Sequence, residues 1–285
     1  MKNINAYLVG YRNSKKIISA SAYLIKKYIP NEINTTFLNY GNFNGKTFNS
    51  NYEKLGNFRF GGADTWGKYL SKYFEKIEDE FLIFGLDDYF ISKNLNQDSF
   101  DKVLEAIQSS KKIANVQLSF SSNQINKNYL TKENNILYLK RDSDYSAVTQ
   151  WSIWRRSVLL NILKNIKSPW EFELKGSKIL NKLNLNTVIT DPPVLIYPDA
   201  SALSSRNKTK VSILGIKKND IDELLKQKLI KEDNLILGHF LNKRINYIEY
   251  KDNLPDLVNY PGLDETEKEY INYILKFCLE INEQH

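Results

Sequence analysis

Cysteine and histidine are almost missing from this chain of 285 residues. A single Cys, Cys278, excludes a disulfide framework and any cysteine-cluster metal site. His239 and His285 are the only two histidines, which excludes a His-rich zinc centre. A metal in this protein has to sit largely on carboxylates. Only 12 Gly and 7 Pro occur, below the usual shares of about 7% and 5%, so collagen-like repeats and Pro/Gly-driven disorder are excluded. No apolar run approaches the roughly 18 residues that span a bilayer. The opening apolar stretch, Ala6 to Val9, is too short for the core of a signal peptide, so the sequence predicts a cytoplasmic protein with no transmembrane segment. Internal repeats, a Gly-rich P-loop and the dinucleotide-binding glycine fingerprint are all lacking.

Positive charge and aromatic side chains are plentiful. Forty Lys+Arg against 33 Asp+Glu give a net charge of +7. A basic balance suits nucleic acid, an anionic membrane surface or a phosphate-bearing substrate. It equally suits an AT-rich genome, which favours Lys, Asn, Ile and Tyr codons and needs no ligand.

Periodicity organises the first 120 residues. Ile4 to Gly10 reads as a buried strand. Ile17, Ile18, Ala22 and Ile25 mark a helix over Lys15 to Tyr28, capped by Ser14 and stopped by Pro30. Asn34 to Asn39 is a second strand, and Tyr40 to about Gly62 reads as a long loop. Asp64 or Thr65 caps a helix through Ile77, striped by Trp66, Tyr69, Leu70 and Tyr73. Phe81 to Leu86 is continuously apolar, as in a strand buried on both faces. Gln97 to Ser109 predicts a helix and Ile113 to Phe120 a strand. The alternation predicts a parallel sheet covered by helices. Beyond it, Ile136 to Leu139 reads as a strand, Ile153 to Ile166 and Glu171 to Leu183 as helices, and Val188 to Thr190 and Val194 to Tyr197 as strands. Ser204 to Lys210 reads as an exposed loop carrying Arg206, Lys208 and Lys210. Asn219 to Leu229 and Thr266 to Ile281 are amphipathic helices.

Three segments carry polar chemistry. Asp87-Asp88-Tyr89 ends the most apolar strand, and ligands of open α/β sheets bind beyond the carboxyl ends of strands. Adjacent carboxylates raise each other's pKa unless a cation neutralises them. A divalent ion shared with phosphates does this, and so does a lysine or a turn. Ser168-Pro169-Trp170-Glu171-Phe172-Glu173 reads as a helix start with carboxylates where the dipole favours them. It also offers a general base beside an aromatic wall. Tyr145 to Arg156 interleaves aromatics with Gln150, Trp151, Trp154 and the pair Arg155-Arg156, which suits core packing, an acceptor wall or phosphate contacts.

Together these segments resemble the GT-A type glycosyltransferases labelled family 2-like, found in bacterial polysaccharide clusters and in viruses. The likeness rests on the helix led by Trp66, the strand ending in Asp87-Asp88-Tyr89-Phe90, and the stretch with Tyr145, Gln150 and Trp154. The turn Trp170-Glu171-Phe172-Glu173, followed by Gly176-Ser177, completes it. It spans residues 60 to 180. It implies a GT-A-like, mostly parallel α/β fold over residues 1–200, with a donor half 1–120 and an acceptor half 121–200. Residues 201–285 would form a C-terminal helical elaboration packed on the same domain. It implies an inverting hexosyltransferase-like enzyme that moves a sugar from a nucleotide-diphosphate sugar, UDP-linked by preference, to a glycan or other hydroxyl.

Site residues follow from that resemblance. Asp87 and Asp88 would hold Mn²⁺ or Mg²⁺, with His239 completing the metal site. Glu171 or Glu173 would be the base. Arg12, Arg59, Asp64 and Trp66 fall to the donor, and Tyr89, Gln150, Trp154 and Trp170 to the acceptor. The acids are adjacent where many such enzymes separate them by one residue, so the metal-contacting one is open. Other readings stand beside this one. They are a glycosyltransferase acting on a hydroxylated base in DNA, an inactive sugar-nucleotide or nucleic-acid binding module, and a nucleotidyltransferase.

Overall fold

The computed structural model describes residues 4–10, 17–56, 65–119, 129–133, 135–140, 143, 145–197, 202–204, 209–212, 216, 218–231 and 235–236. It is an α/β protein built on a nine-stranded sheet in the order β3-β2-β1-β4-β8-β5-β9-β7-β6. The strands are β1 (Ile4–Val9), β2 (Ile33–Tyr40), β3 (Asn51–Gly56), β4 (Phe81–Leu86), β5 (Ile113–Gln117), β6 (Tyr129–Glu133), β7 (Ile136–Leu139), β8 (Ser152–Arg155) and β9 (Asn186–Thr190). Pairing is parallel through β3, β2, β1 and β4 and again between β5 and β9. β8 runs against β4 and β5, and β7 runs against β9 and β6. Seven strands therefore share one direction, as the βα alternation predicts. Three further short strands, β10 (Ala202–Ser204), β11 (Thr209–Ser212) and β12 (Leu235–Ile236), form a separate small sheet.

The helices are α1 (Ile18–Tyr28), α2 (Trp66–Phe74), α3 (Gln97–Ser109), α4 (Arg156–Lys164), α5 (Pro169–Lys182) and α6 (Lys218–Lys226). Strand periodicity deals them to two faces. Ile4, Ala6 and Leu8 of β1 join one buried cluster with α1, α3 and α6, while Tyr7 and Val9 join the other with α2, α4 and α5. Both faces of the central strands are thus covered, which is why β4 reads as an unbroken apolar run.

Five sequence expectations are corrected. The stretch expected to loop from Tyr40 to Gly62 contains β3, whose exposed, polar sequence gives no apolar alternation. Residues 153–155 are strand β8, not helix, because they fill the slot between β4 and β5; the helix begins at Arg156. Val194 to Tyr197 is not a strand, although its backbone is bonded to Ser92, Asn96 and Leu118. Residues 209–212, expected at the end of an exposed loop, pair as β11 with β10. The second helix ends at Phe74, short of Ile77. Ser14, residues 205–208 and the helix expected over 266–281 lie outside the described residues.

Candidate functional site

The site is built where parallel strands end. Val9, Tyr40, Gly56 and Leu86 close β1, β2, β3 and β4 on the same edge. Adjacent termini are stitched together by Gly10 N–H to Leu38 O (2.8 Å), Gly41 N–H to Gly56 O (3.3 Å) and Asp87 N–H to Val9 O (3.3 Å). Asp87 is buried at 2% exposure and Asp88 is half-buried at the edge. From β3, the Tyr52 hydroxyl donates to Gly41 O at 2.8 Å. Burial first, and the Asp87 charge second, lift that hydroxyl above its ordinary pKa of 10.0. The acidic pair and the ends of β2 and β3 therefore border one place.

Segment 145–151 brings the second carboxylate to the same edge. Its course is set by a row of buried polar side chains. Asn115 donates to Ser146 O (3.1 Å), Gln117 to Tyr145 O (2.9 Å) and Thr187 to Ser146 O (2.9 Å). Leu86, the last residue of β4, is then gripped twice. Its N–H donates to Thr149 O (3.0 Å) and its carbonyl accepts from the Trp151 indole (3.1 Å). Gly85 permits this approach, since a Cβ there would lie 2.7 Å from the Trp151 ring and 3.0 Å from its Cα. Thr149 in turn donates its N–H (3.1 Å) and its hydroxyl (2.7 Å) to one oxygen, Oε1, of Glu173. A single residue, Thr149, thus spans from Glu173 to the position preceding Asp87.

Helix α5 supplies Glu173 and separates it from Glu171. Ser168 caps the helix by accepting from Glu171 N–H (3.2 Å), and Pro169 stands in its first turn. Glu171 accepts from the Lys167 backbone N–H (2.8 Å) and from the Lys175 ammonium (2.7 Å). Lys175 first and the Lys167 N–H second hold its carboxyl below the usual range. Glu171 is an element of the helix cap on the outer side of α5, while Glu173 faces the 145–149 segment.

The aromatic assignments divide. Trp154 is fully buried, edge-on to Phe172 with centroids 5.5 Å apart, so the expected acceptor contact is corrected to core packing. Trp66, 2% exposed and set against Phe84 and Phe172, is likewise core and not a donor contact. Tyr89 is buried with its ring 5.1 Å from that of Tyr197. Gln150 is half-buried, its carbonyl accepting from the Ser152 hydroxyl. Trp170 projects into solvent at 68% exposure. Arg155 donates to the carbonyls of Ile107 and Ser110, and Arg156 to those of Asp79 and Phe74. Both clamp the ends of α3 and α2 instead of offering phosphate contacts. Arg12, Arg59, Asp64 and His239 lie outside the described residues.

Thr149 and Tyr52 escape a reading of the sequence. A threonine between valine and glutamine has no local mark, and Tyr52 sits in the strand hidden by its polar composition. Only the fold places them beside the carboxylates.

No protein-family model matches this chain, and no curated protein matches its sequence. Solved structures do resemble it. A mannosyltransferase from Pyrobaculum calidifontis, in complex with GDP-Man and Mn²⁺, is 11% identical with a TM-score of 0.44. The match covers 71% of this chain and 58% of the mannosyltransferase, so this chain spans under two thirds of it. Residues 1–349 of S. aureus TarS are 13% identical over 95% of this chain and 70% of that one, with a TM-score of 0.41. A UDP-glucose pyrophosphorylase complexed with UDP-glucose is 10% identical, covering 69% of this chain and 93% of that one at a TM-score of 0.45. Such values leave function to this chain's own residues.

On cation binding, no group of three or more His, Cys, Asp or Glu is arranged to hold a metal among the described residues. Asp87 and Asp88 offer hard oxygen donors from two consecutive residues. Mg²⁺-like ions that arrive on a diphosphate need only one or two protein carboxylates, the rest of the shell being phosphate and water. The donor set fits an ion shared with a substrate and does not fit a closed protein cage.

Proposed function

We propose that this protein is a glycosyltransferase that moves a sugar from a nucleotide-diphosphate sugar to a hydroxyl acceptor by an inverting displacement. The observation that carries the reading is the Thr149 bridge, which holds Glu173 beside the strand end bearing Asp87 and Asp88. Asp87 and Asp88 would hold a divalent cation at the donor's diphosphate end. Bound there, Mn²⁺ or Mg²⁺ would supply Lewis-acid charge to the departing diphosphate. Glu173 serves as the general base. Thr149 fixes Oε1 with two donated hydrogen bonds, and the carboxylate accepts the acceptor hydroxyl's proton while that oxygen attacks the anomeric carbon. The bond from that carbon to the diphosphate breaks, and the nucleotide diphosphate leaves. No histidine is required, in keeping with a chain that has two.

Thermal shift tests the reading with UDP-glucose, UDP-N-acetylglucosamine and GDP-mannose, each with and without Mn²⁺. Binding to the folded state alone raises stability by about 2.7 kcal/mol at a hundredfold excess over Kd. A shift of several degrees that needs Mn²⁺ and is abolished by Asp88→Asn is expected. Absence of a shift with every donor, or a shift indifferent to Asp88→Asn, refutes it.

A further inference from the structure

The outer face of α5 breaks the usual rule for a solvated helix. Trp170 is 68% exposed and Leu174 is 52% exposed, one helical turn apart. At about 100° per residue they lie some 40° apart around the axis. Leu183, just past the helix end, is 44% exposed. The buried arc of the helix holds Phe172, Gly176, Ser177 and Leu180, and the apolar pair lies on the flank beside it, carrying the apolar stripe out into solvent. Three exposed lysines, Lys175, Lys178 and Lys182, stand on the solvent side of the helix, and exposed Lys167 comes just before its cap. Its acid, Glu171, is already compensated by Lys175.

We infer that this face of α5 is a membrane-surface contact whose partner is an anionic lipid bilayer. An indole and an isobutyl group at the headgroup boundary, flanked by lysines, are the chemistry of an interfacial helix. Each lysine near an anionic leaflet adds to the attraction, and the chain's overall charge of +7 acts in the same sense. No helix among the described residues is long and apolar enough to cross a membrane; interfacial attachment requires none. Duplex nucleic acid, its bases already stacked, would use the lysines but leave Trp170 and Leu174 wet. A second copy of the chain, paired face to face, would set lysine against lysine. The lipid surface satisfies both halves of the patch. Glu173 lies on the adjoining flank of the helix, so a docked enzyme presents the proposed base toward the headgroups. That consequence rests on the proposed function, whereas the contact itself does not.

Vesicle flotation of the full-length protein tests the contact without any turnover assay. The probes are phosphatidylcholine vesicles and vesicles with about one third phosphatidylglycerol. Binding to the anionic vesicles is expected, with at least about tenfold less to the neutral ones. Trp170→Ser with Leu174→Ser should lower it about tenfold or more at an unchanged melting temperature. Lys175→Glu, Lys178→Glu and Lys182→Glu together should lower it at least about a hundredfold. Absence of flotation by the folded protein, equal binding to both vesicle types, or binding unmoved by the serine pair overturns the inference. So does a dimer that the serine pair dissociates, or duplex DNA binding that outcompetes the anionic vesicles. A failed nucleotide-sugar shift with intact flotation would sink the proposed function alone.

Discussion

Glu171 and Glu173 sit two residues apart and meet opposite surroundings. Glu171 closes a helix cap and an ion pair on the outer side of α5, while Glu173 meets Thr149 at the sheet's edge. General-base removal costs about 10²–10⁴ in rate. Glu173→Gln should therefore lower turnover by that range on whichever nucleotide sugar stabilises the protein, with the thermal shift retained. Glu171→Gln should leave turnover within a fewfold and change acid stability instead. Its carboxyl is held below the ordinary 4.5 in the folded state, so its stabilisation is complete above that value and fades as pH falls through the lower folded one. Equal losses of turnover in both variants would contradict the assignment. The sequence offered the two glutamates as equals because both stand in the first turn of one predicted helix. What separates them is Thr149, which belongs to another element 24 residues away.

At the scale of elements, α2, α3 and β4 were legible because a stripe or an apolar run is a local property. β3 and β8 were not. β3 is a polar edge strand, and β8 is a four-residue insert whose apolar letters run straight into α4, so its identity depends on partners over 30 residues away. The site inherits this division, since Asp87 and Asp88 were visible at the end of a legible strand and Tyr52 was hidden in an illegible one. Helix packing adds a further test. The first two N–H groups of α2 are bonded to Lys167 O, and a Cβ on Gly67 would fall 2.3 Å from Ile166 O and 2.6 Å from Leu163 O. Both are backbone atoms, fixed by α4 and the turn into α5, and cannot swing aside as a side chain can. Helix propensity alone would make Gly67→Ala stabilising by up to about 1 kcal/mol. The clash reverses the sign, and a loss of roughly 1–3 kcal/mol in urea denaturation is expected. A gain would show that α2 does not dock this closely on the turn that leads into the helix of Glu173.

Over the whole molecule, the question is whether α6 unfolds with the sheet or ahead of it. Ile221 and Leu224 of α6 belong to the same buried cluster as Ile25 and Tyr28 of α1. Asp220, fully buried, accepts hydrogen bonds from the Tyr28 hydroxyl and the Lys27 ammonium across 192 and 193 residues of chain. Lys27 keeps 41% exposure, so it can rehydrate if Asp220 is removed, whereas the Tyr28 hydroxyl is left without that acceptor in a buried place. Asp220→Ala should cost about 1.5–3 kcal/mol, the usual worth of hydrogen bonds to a charged group. The transition should remain single and cooperative if α6 and the sheet share one core. Alkaline pH supplies the sign check. Burial first, and the bond to Asp220 second, raise the Tyr28 pKa above 10.0, so the folded state favours the neutral phenol. That stabilisation is intact below pH 10 and is lost as pH rises above it, when the unfolded chain gains phenolate. The variant keeps the rise due to burial and lacks only the part due to Asp220, so its deficit against the parent should hold just above pH 10 and narrow once pH passes the variant's own raised folded-state value. A separate early transition for α6 would mean that the clasp does not tie this helix to the sheet.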